Sequence, residues 1–132
     1  MLLCEGGDVG RAAIWNSDDP IMIQNHLHKL RPIKDVIVKY YYYVIFTAKH
    51  ISVFSDAANG VGLRGLSSSA LHNVRLTMPS LQEQQAIADY LDTYCAKVDA
   101  TVSEIKAQIA DLKLYKQSLI SEAVTGKICV TD

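Results

Sequence analysis

The sequence predicts an α/β (α+β) domain of short strands and helices over residues 1–79, then a long coiled-coil-like helix over residues 80–126 and a short tail, 127–132. Turn signals crowd between short apolar runs before Pro79, and an apolar repeat every seven residues follows it. A helix-start signal sits at the junction. The 132 residues, 49% of them hydrophobic, suit one soluble domain with a modest core.

The first part opens on Met1-Leu2-Leu3-Cys4, a strand at full hydrophobicity, which suggests that the chain begins inside a larger domain. Glu5-Gly6-Gly7-Asp8-Val9-Gly10 then forms a glycine-rich turn into a second strand, Arg11–Trp15. Asn16-Ser17-Asp18-Asp19-Pro20 is another turn, and Ile21–Leu30 reads as a strand closed by Arg31-Pro32. Residues 35–55 carry two signals. Tyr40–Phe46 is aromatic and β-branched, as strands are, yet Val36, Tyr40, Tyr43 and Val44 also fall at helical spacing. A glycine loop, Asn59–Gly65, leads to a serine-capped helical turn, Ser67–His72, and one last strand, Val74–Met78.

Beyond Pro79, Ser80 and Glu83 have the S-x-x-E spacing of a capping box. Leu91, Val98, Ile105, Leu112 and Leu119 recur every seven residues, and Cys95, Val102 and Ile109 complete the two-position seam of a coiled coil. Lys116 interrupts the second series, while Asp99, Lys106 and Lys113 flank the seam. Gly126 is a helix stop. The helix would run about 65 Å at 1.5 Å per residue, so its seam needs a partner. The sequence leaves a break near Asp92-Thr93 open.

Charge narrows the function. With 13 Lys+Arg against 14 Asp+Glu, the net charge is −1, unlike a free-standing DNA binder, which is usually basic. A locally basic surface, or a grip shared with partners, fits better. Cys4, Cys95 and Cys129 are widely spaced and read as reduced thiols of a cytoplasmic protein. No apolar run approaches the roughly 20 residues of a membrane span.

Several constellations bear on chemistry. Gly6-Gly7-x-x-Gly10 precedes a strand and lacks a phosphate-loop lysine, so it is a turn and not a nucleotide site. His26 and His28 share a strand face with Gln24 but lack a third ligand for a metal. Gln24, Asn25, His26, His28 and Lys29 form a donor-rich set suited to base edges and phosphates, and equally suited to an ordinary polar strand face. Arg11, and Arg64 on the glycine loop, are candidate DNA contacts beside them. The tyrosine run 40–43 reads as core rather than a base-stacking platform. No catalytic constellation or cofactor site is evident.

Residues 76–91, Leu-Thr-Met-Pro-Ser-Leu-Gln-Glu-Gln-Gln-Ala-Ile-Ala-Asp-Tyr-Leu, closely resemble the signature of type I restriction-modification specificity (S) subunits, a strand ending in proline followed by L-x-E-Q-x-x-I-A-x-x-L. Lys116–Ile128 resembles the family's second hallmark, at the end of its spacer helix. Residues 2–11 and 23–32 are similar, more loosely, to the second half of a target recognition domain. The resemblance implies that residues 35–55 are helical. It also implies a non-catalytic subunit that binds one half of a bipartite double-stranded DNA site and docks methylation (M) subunits beside restriction (R) subunits. Methyl transfer and cleavage would belong to those other subunits. Whole S subunits have two recognition domains and two spacer helices, so this chain reads as a fragment. It is expected to self-associate as a homodimer through Leu91, Cys95, Val98, Val102, Ile105, Ile109, Leu112 and Leu119. The alternative is an assembly module with no DNA binding of its own.

Overall fold

The computed structural model describes residues 1–57 and 65–130. Strands β1 (Leu2–Cys4), β2 (Ala12–Ala13) and β3 (Leu27–Lys29) form an antiparallel sheet in the order β2-β1-β3. Helices α1 (Val38–His50), α2 (Val53–Ala57), α3 (Ser68–His72) and α4 (Leu81–Val124) complete the described elements. The α+β class with a long C-terminal helix is what the sequence predicts.

The strands are shorter than expected because the central one is short. β1 offers three rungs, Leu2 to Lys29, Leu3 to His28 and Cys4 to Leu27, so residues 21–26 of the expected long strand have no ladder to join. On the other side only Leu2↔Ala13 and Leu3↔Ala12 pair. The glycine turn between β1 and β2 is closed by Gly10 N–H donating to the Cys4 carbonyl (3.0 Å). Gly10 has φ +82°, and a Cβ there would lie 2.5 Å from the Phe54 ring, so the position requires glycine.

The tyrosine run is helical. Tyr40, Ile45 and Ala48 are its buried residues, a spacing that one helix face provides and strand alternation does not. Phe46 on the other side is exposed and lies against His50 one turn on, ring centroids 4.2 Å apart. Tertiary burial on a 3.6-residue period thus overrides strand propensity. The core of this part is Leu3, Ile45, Ala48, Phe54 and Leu66, joining β1, α1, α2 and the segment before α3. Ser67 caps α3, its hydroxyl accepting from Ala70 N–H (3.2 Å).

The expected strand Val74–Met78 is not in the sheet. Pro79 restricts only Met78 to extended backbone, and strand-like composition over residues 74–78 does not by itself supply a neighbouring strand to pair with. Thr77 instead bonds the Tyr40 hydroxyl through its side chain (3.0 Å).

Helix α4 is continuous for 44 residues, with no break at Asp92-Thr93. Its start is the capping box. Glu83 N–H donates to Ser80 Oγ (3.3 Å), and the Glu83 carboxylate accepts from Ser80 N–H (3.0 Å) and from its hydroxyl (2.8 Å). Those bonds hold the Glu83 carboxyl below its ordinary range. Its end is a Schellman turn: Lys127 N–H reaches the Glu122 carbonyl (2.8 Å), Gly126 N–H reaches that of Ala123 (3.2 Å), and Gly126 has φ +74°. Two compact units divide within the helix, Met1–Tyr90 and Leu91 onward. No helix among the described residues is long and apolar enough to cross a membrane.

Candidate nucleic-acid interface

Three segments converge around Glu5. Its N–H donates to the His26 carbonyl (2.9 Å), and its carbonyl accepts from Leu66 N–H (2.8 Å). His28 Nε2 then donates to the Leu66 carbonyl (2.6 Å). A carbonyl only accepts, so this bond sets the His28 proton on Nε2 and points the ring inward, on the sheet face of buried Leu3. His28 therefore ties β3 to the segment after the glycine loop, and it is half-buried.

The other expected residues separate by face. Lys29 pairs with Leu2, and Arg11 follows the turn opposite Cys4, whose N–H donates to the Arg11 carbonyl (2.8 Å). Side chains alternate along strands, so Arg11 and Lys29 stand on the outer face, two strands apart, and both are exposed. Gln24, Asn25 and His26 lie before β3 and are also exposed, beside the glycine turn; the His26 ring is 3.8 Å from where a Gly6 Cβ would be. Arg64 lies outside the described residues. The structure thus brings Arg11, Gln24, Asn25 and His26 to the turn end of the sheet and sets Lys29 further along it.

Electrostatics at the turn are partly cancelled. Asp8 forms an ion pair with Lys49 of α1 (2.6 Å), which binds the turn to the helix and holds the Asp8 carboxyl below its usual range, with smaller help from Arg11 and His50. Lys49 thereby offsets part of the negative charge that Asp8 brings to the turn. Among the described residues, no group of three His, Cys, Asp or Glu side chains is disposed to hold a metal ion.

The family model for the type I restriction modification DNA specificity domain matches residues 2–111. The chain belongs to this family. It is 31% identical over 121 residues to the type I restriction enzyme EcoBI specificity subunit of Escherichia coli, covering 92% of this chain and 25% of that one. The StySPI specificity subunit of Salmonella potsdam is 27% identical over 75% of this chain and 21% of its own length. The chain spans about a quarter of the curated relatives it matches. No solved structure matches it.

As a specificity domain, the chain shows what its signature residues do. Glu83 closes the capping box, and Ala88 is fully buried. Gln84 is 1% exposed, and its amide makes two bonds: Oε1 accepts from Ile37 N–H (3.0 Å) and Nε2 donates to the Pro79 carbonyl (2.9 Å). Ile37 starts α1 without any side-chain cap of its own, so Gln84 fastens the beginnings of α1 and α4 together. Sequence reasoning found the motif but not this clamp. The available signal was a glutamine in line with the Ala88 side of an amphipathic helix, a polar group that burial permits only with partners. The Asp8–Lys49 pair and the His28 bond left no local sequence signal.

Proposed function

We propose that this chain contributes DNA recognition to a type I restriction-modification specificity subunit, reading one half of a bipartite double-stranded site. Residues 1–79 are the recognition part, 80–126 the spacer helix and 127–132 a tail. The observation that supports this is the exposed donor group at the turn end of the sheet in a chain of the DNA specificity family. Gln24, Asn25 and His26 supply base-edge donors and acceptors, Arg11, Lys29 and Arg64 supply phosphate contacts, and His28 positions β3. The subunit is non-catalytic, needs no cofactor, acts in the cytoplasm, and docks M and R subunits that perform methyl transfer and cleavage. The overall charge of −1 fits a DNA grip that is confined to a locally basic surface or shared with them.

The test replaces Gln24→Ala with Asn25→Ala in a complete specificity subunit carrying this segment. Site-specific methylation should fall while assembly with M subunits is unchanged. Methylation at the unaltered level would remove these residues from the reading surface.

A second reading is favoured by one observation: the seam of α4 is uncovered in the single chain. Val98, Val102, Ile105, Ile109 and Leu112 are all exposed. Each buried Val, Leu or Ile stabilises by roughly 1.5–3 kcal/mol, enough over such a seam to offset the entropy of association. The chain therefore self-associates as a homodimer, with or without DNA affinity. Light scattering at tens of micromolar tests it, and a monomer there would end this reading.

A further inference from the structure

We propose that the free edge of β3, with the groove beneath it, takes up an extended peptide of another protein in which apolar and acidic residues alternate. The proposal depends neither on the DNA reading nor on self-association.

The sheet order β2-β1-β3 leaves β3 paired on one side only. Met1 and Leu30 exchange two main-chain bonds: Leu30 N–H donates to the Met1 carbonyl (2.9 Å), and the Met1 ammonium donates to the Leu30 carbonyl (3.2 Å). Glu5 N–H likewise reaches the His26 carbonyl (2.9 Å). Antiparallel ladders alternate bonded and non-bonded pairs, so Leu2↔Lys29 and Cys4↔Leu27 are the non-bonded ones. The Lys29 N–H and carbonyl and the Leu27 carbonyl therefore point away from β1, in the pattern that a further strand meets. The Leu27 N–H is already taken by the Gln24 carbonyl (3.2 Å).

Two adjoining cavities follow this edge. One, of about 550 Å³, runs along Leu27–Arg31 and is lined by Ile45, Phe54 and Leu71. The other, of about 420 Å³, continues past Arg31 to Lys34 and is lined by Val38 and Tyr41. They share Leu30, Arg31, Ile45 and Leu76, so they form one groove with an apolar floor. Its titratable members include His28, Lys29, Arg31, Lys34 and His72, and no Asp or Glu among the described residues lines it. Asp19 shares a third cavity with Lys29 and Arg31, yet no ion pair among the described residues engages Lys29, Arg31 or Lys34.

Strand geometry turns this groove into a sequence preference. The residue opposite Lys29 shares its outer face, and an acid there makes a cross-strand pair with the ammonium. The residues on either side of it project inward, toward Ile45 and Phe54, where apolar side chains are covered. One position further, opposite Arg31, an acid is favoured again. Other occupants fit less well. A phosphodiester backbone brings acceptors, which leave the Lys29 and Leu27 carbonyls unmatched. A second copy offering its own β3 would set Lys29 and Arg31 against the same charges, the pairing that edge lysines discourage. The charge that repels a like edge attracts an acidic one.

The test titrates the full chain with a fluorescent peptide alternating valine and glutamate, followed by anisotropy, beside a valine–lysine control. The glutamate peptide should bind, more weakly as salt rises, and should slow hydrogen exchange at the Lys29 amide. The lysine peptide should not bind. Lys29→Glu with Arg31→Glu should reverse the preference, weakening the glutamate peptide more than about tenfold, with helix retained by circular dichroism. Methylating the backbone amides of the glutamate peptide should abolish binding, because the ladder is lost. Failure of the glutamate peptide to bind, equal binding of the two peptides, or undiminished binding after methylation would each overturn the proposal. So would a bound state in which the Lys29 amide exchanges at its free rate. These comparisons use the unmodified chain and decide the matter even if the charge-reversed variant unfolds. Oligothymidylate that protects the Lys29 amide more strongly than the peptide does would make the occupant a nucleic acid, and overturn the proposal as well.

Discussion

The two units treat one helical row in opposite ways. Ala88 is completely buried in the first unit, and the same heptad position continues as Cys95, Val102 and Ile109 in the second, all exposed. In the first unit Leu3, Phe54, Leu66 and Gln84 are also sealed from water. A repeat in sequence therefore states that a face will be covered without stating by what. Small Ala88 matches close packing on its own domain, whereas the larger Val102 and Ile109 stand exposed in the single chain.

The strongest way to break this contrast is to charge the uncovered face. Ile105→Asp with Ile109→Asp puts four carboxylates per dimer into the seam and should turn dimer into monomer or aggregate by light scattering. The first unit should keep its near-ultraviolet dichroism. If the monomer instead loses that signal, the two units do not hold their cores independently.

On the buried side, Phe54→Ala empties the centre of the first unit and should cost about 3–5 kcal/mol in denaturant unfolding of that unit. The α4 dimer should persist by light scattering. Gln84→Ala is gentler and more local. It leaves Ile37 N–H and the Pro79 carbonyl without their partner, an effect of about 1–3 kcal/mol for each group that stays dry. Hydrogen exchange should rise first at the α1 amides. Unchanged exchange there would mean that water replaces the amide at no cost.

The smallest effect is on pH. The Glu83 carboxyl is held below its ordinary value by Ser80, so its contribution is complete above the usual carboxylate range and is lost as pH falls through the depressed value. Melting temperature should therefore drop on acidification below the ordinary carboxylate range, and the drop should be shallower in Glu83→Gln, whose amide can still close the box. Equal slopes in the two proteins would remove the capping box from the acid response.

The regular part of the molecule was the legible part. The α4 limits, its capping box and its glycine stop follow from residues within a turn of one another, and the structure places them where those residues stand. The recognition part was legible only where local chemistry dominates, as at Ser67 or the glycine turn. Strand lengths were not, because β1 limits what β2 and β3 can pair with, and nothing inside Ile21–Leu30 reports the length of β1. Tyr40–Phe46 needed information from beyond its own residues to be recognised as helix. The candidate interface divides the same way: the donor chemistry of Gln24, Asn25 and His26 is visible in the sequence. The inward turn of His28 depends on Leu66, 38 residues away.

The Gln84 clamp grips only main chain, the amide at Ile37 and the carbonyl at Pro79. Every amino acid except proline offers that amide, and every one offers that carbonyl. The fastening is therefore blind to the side chains it fastens. Side chains at positions 37 and 79 can change without costing the helix either of these two hydrogen bonds, provided position 37 is not proline.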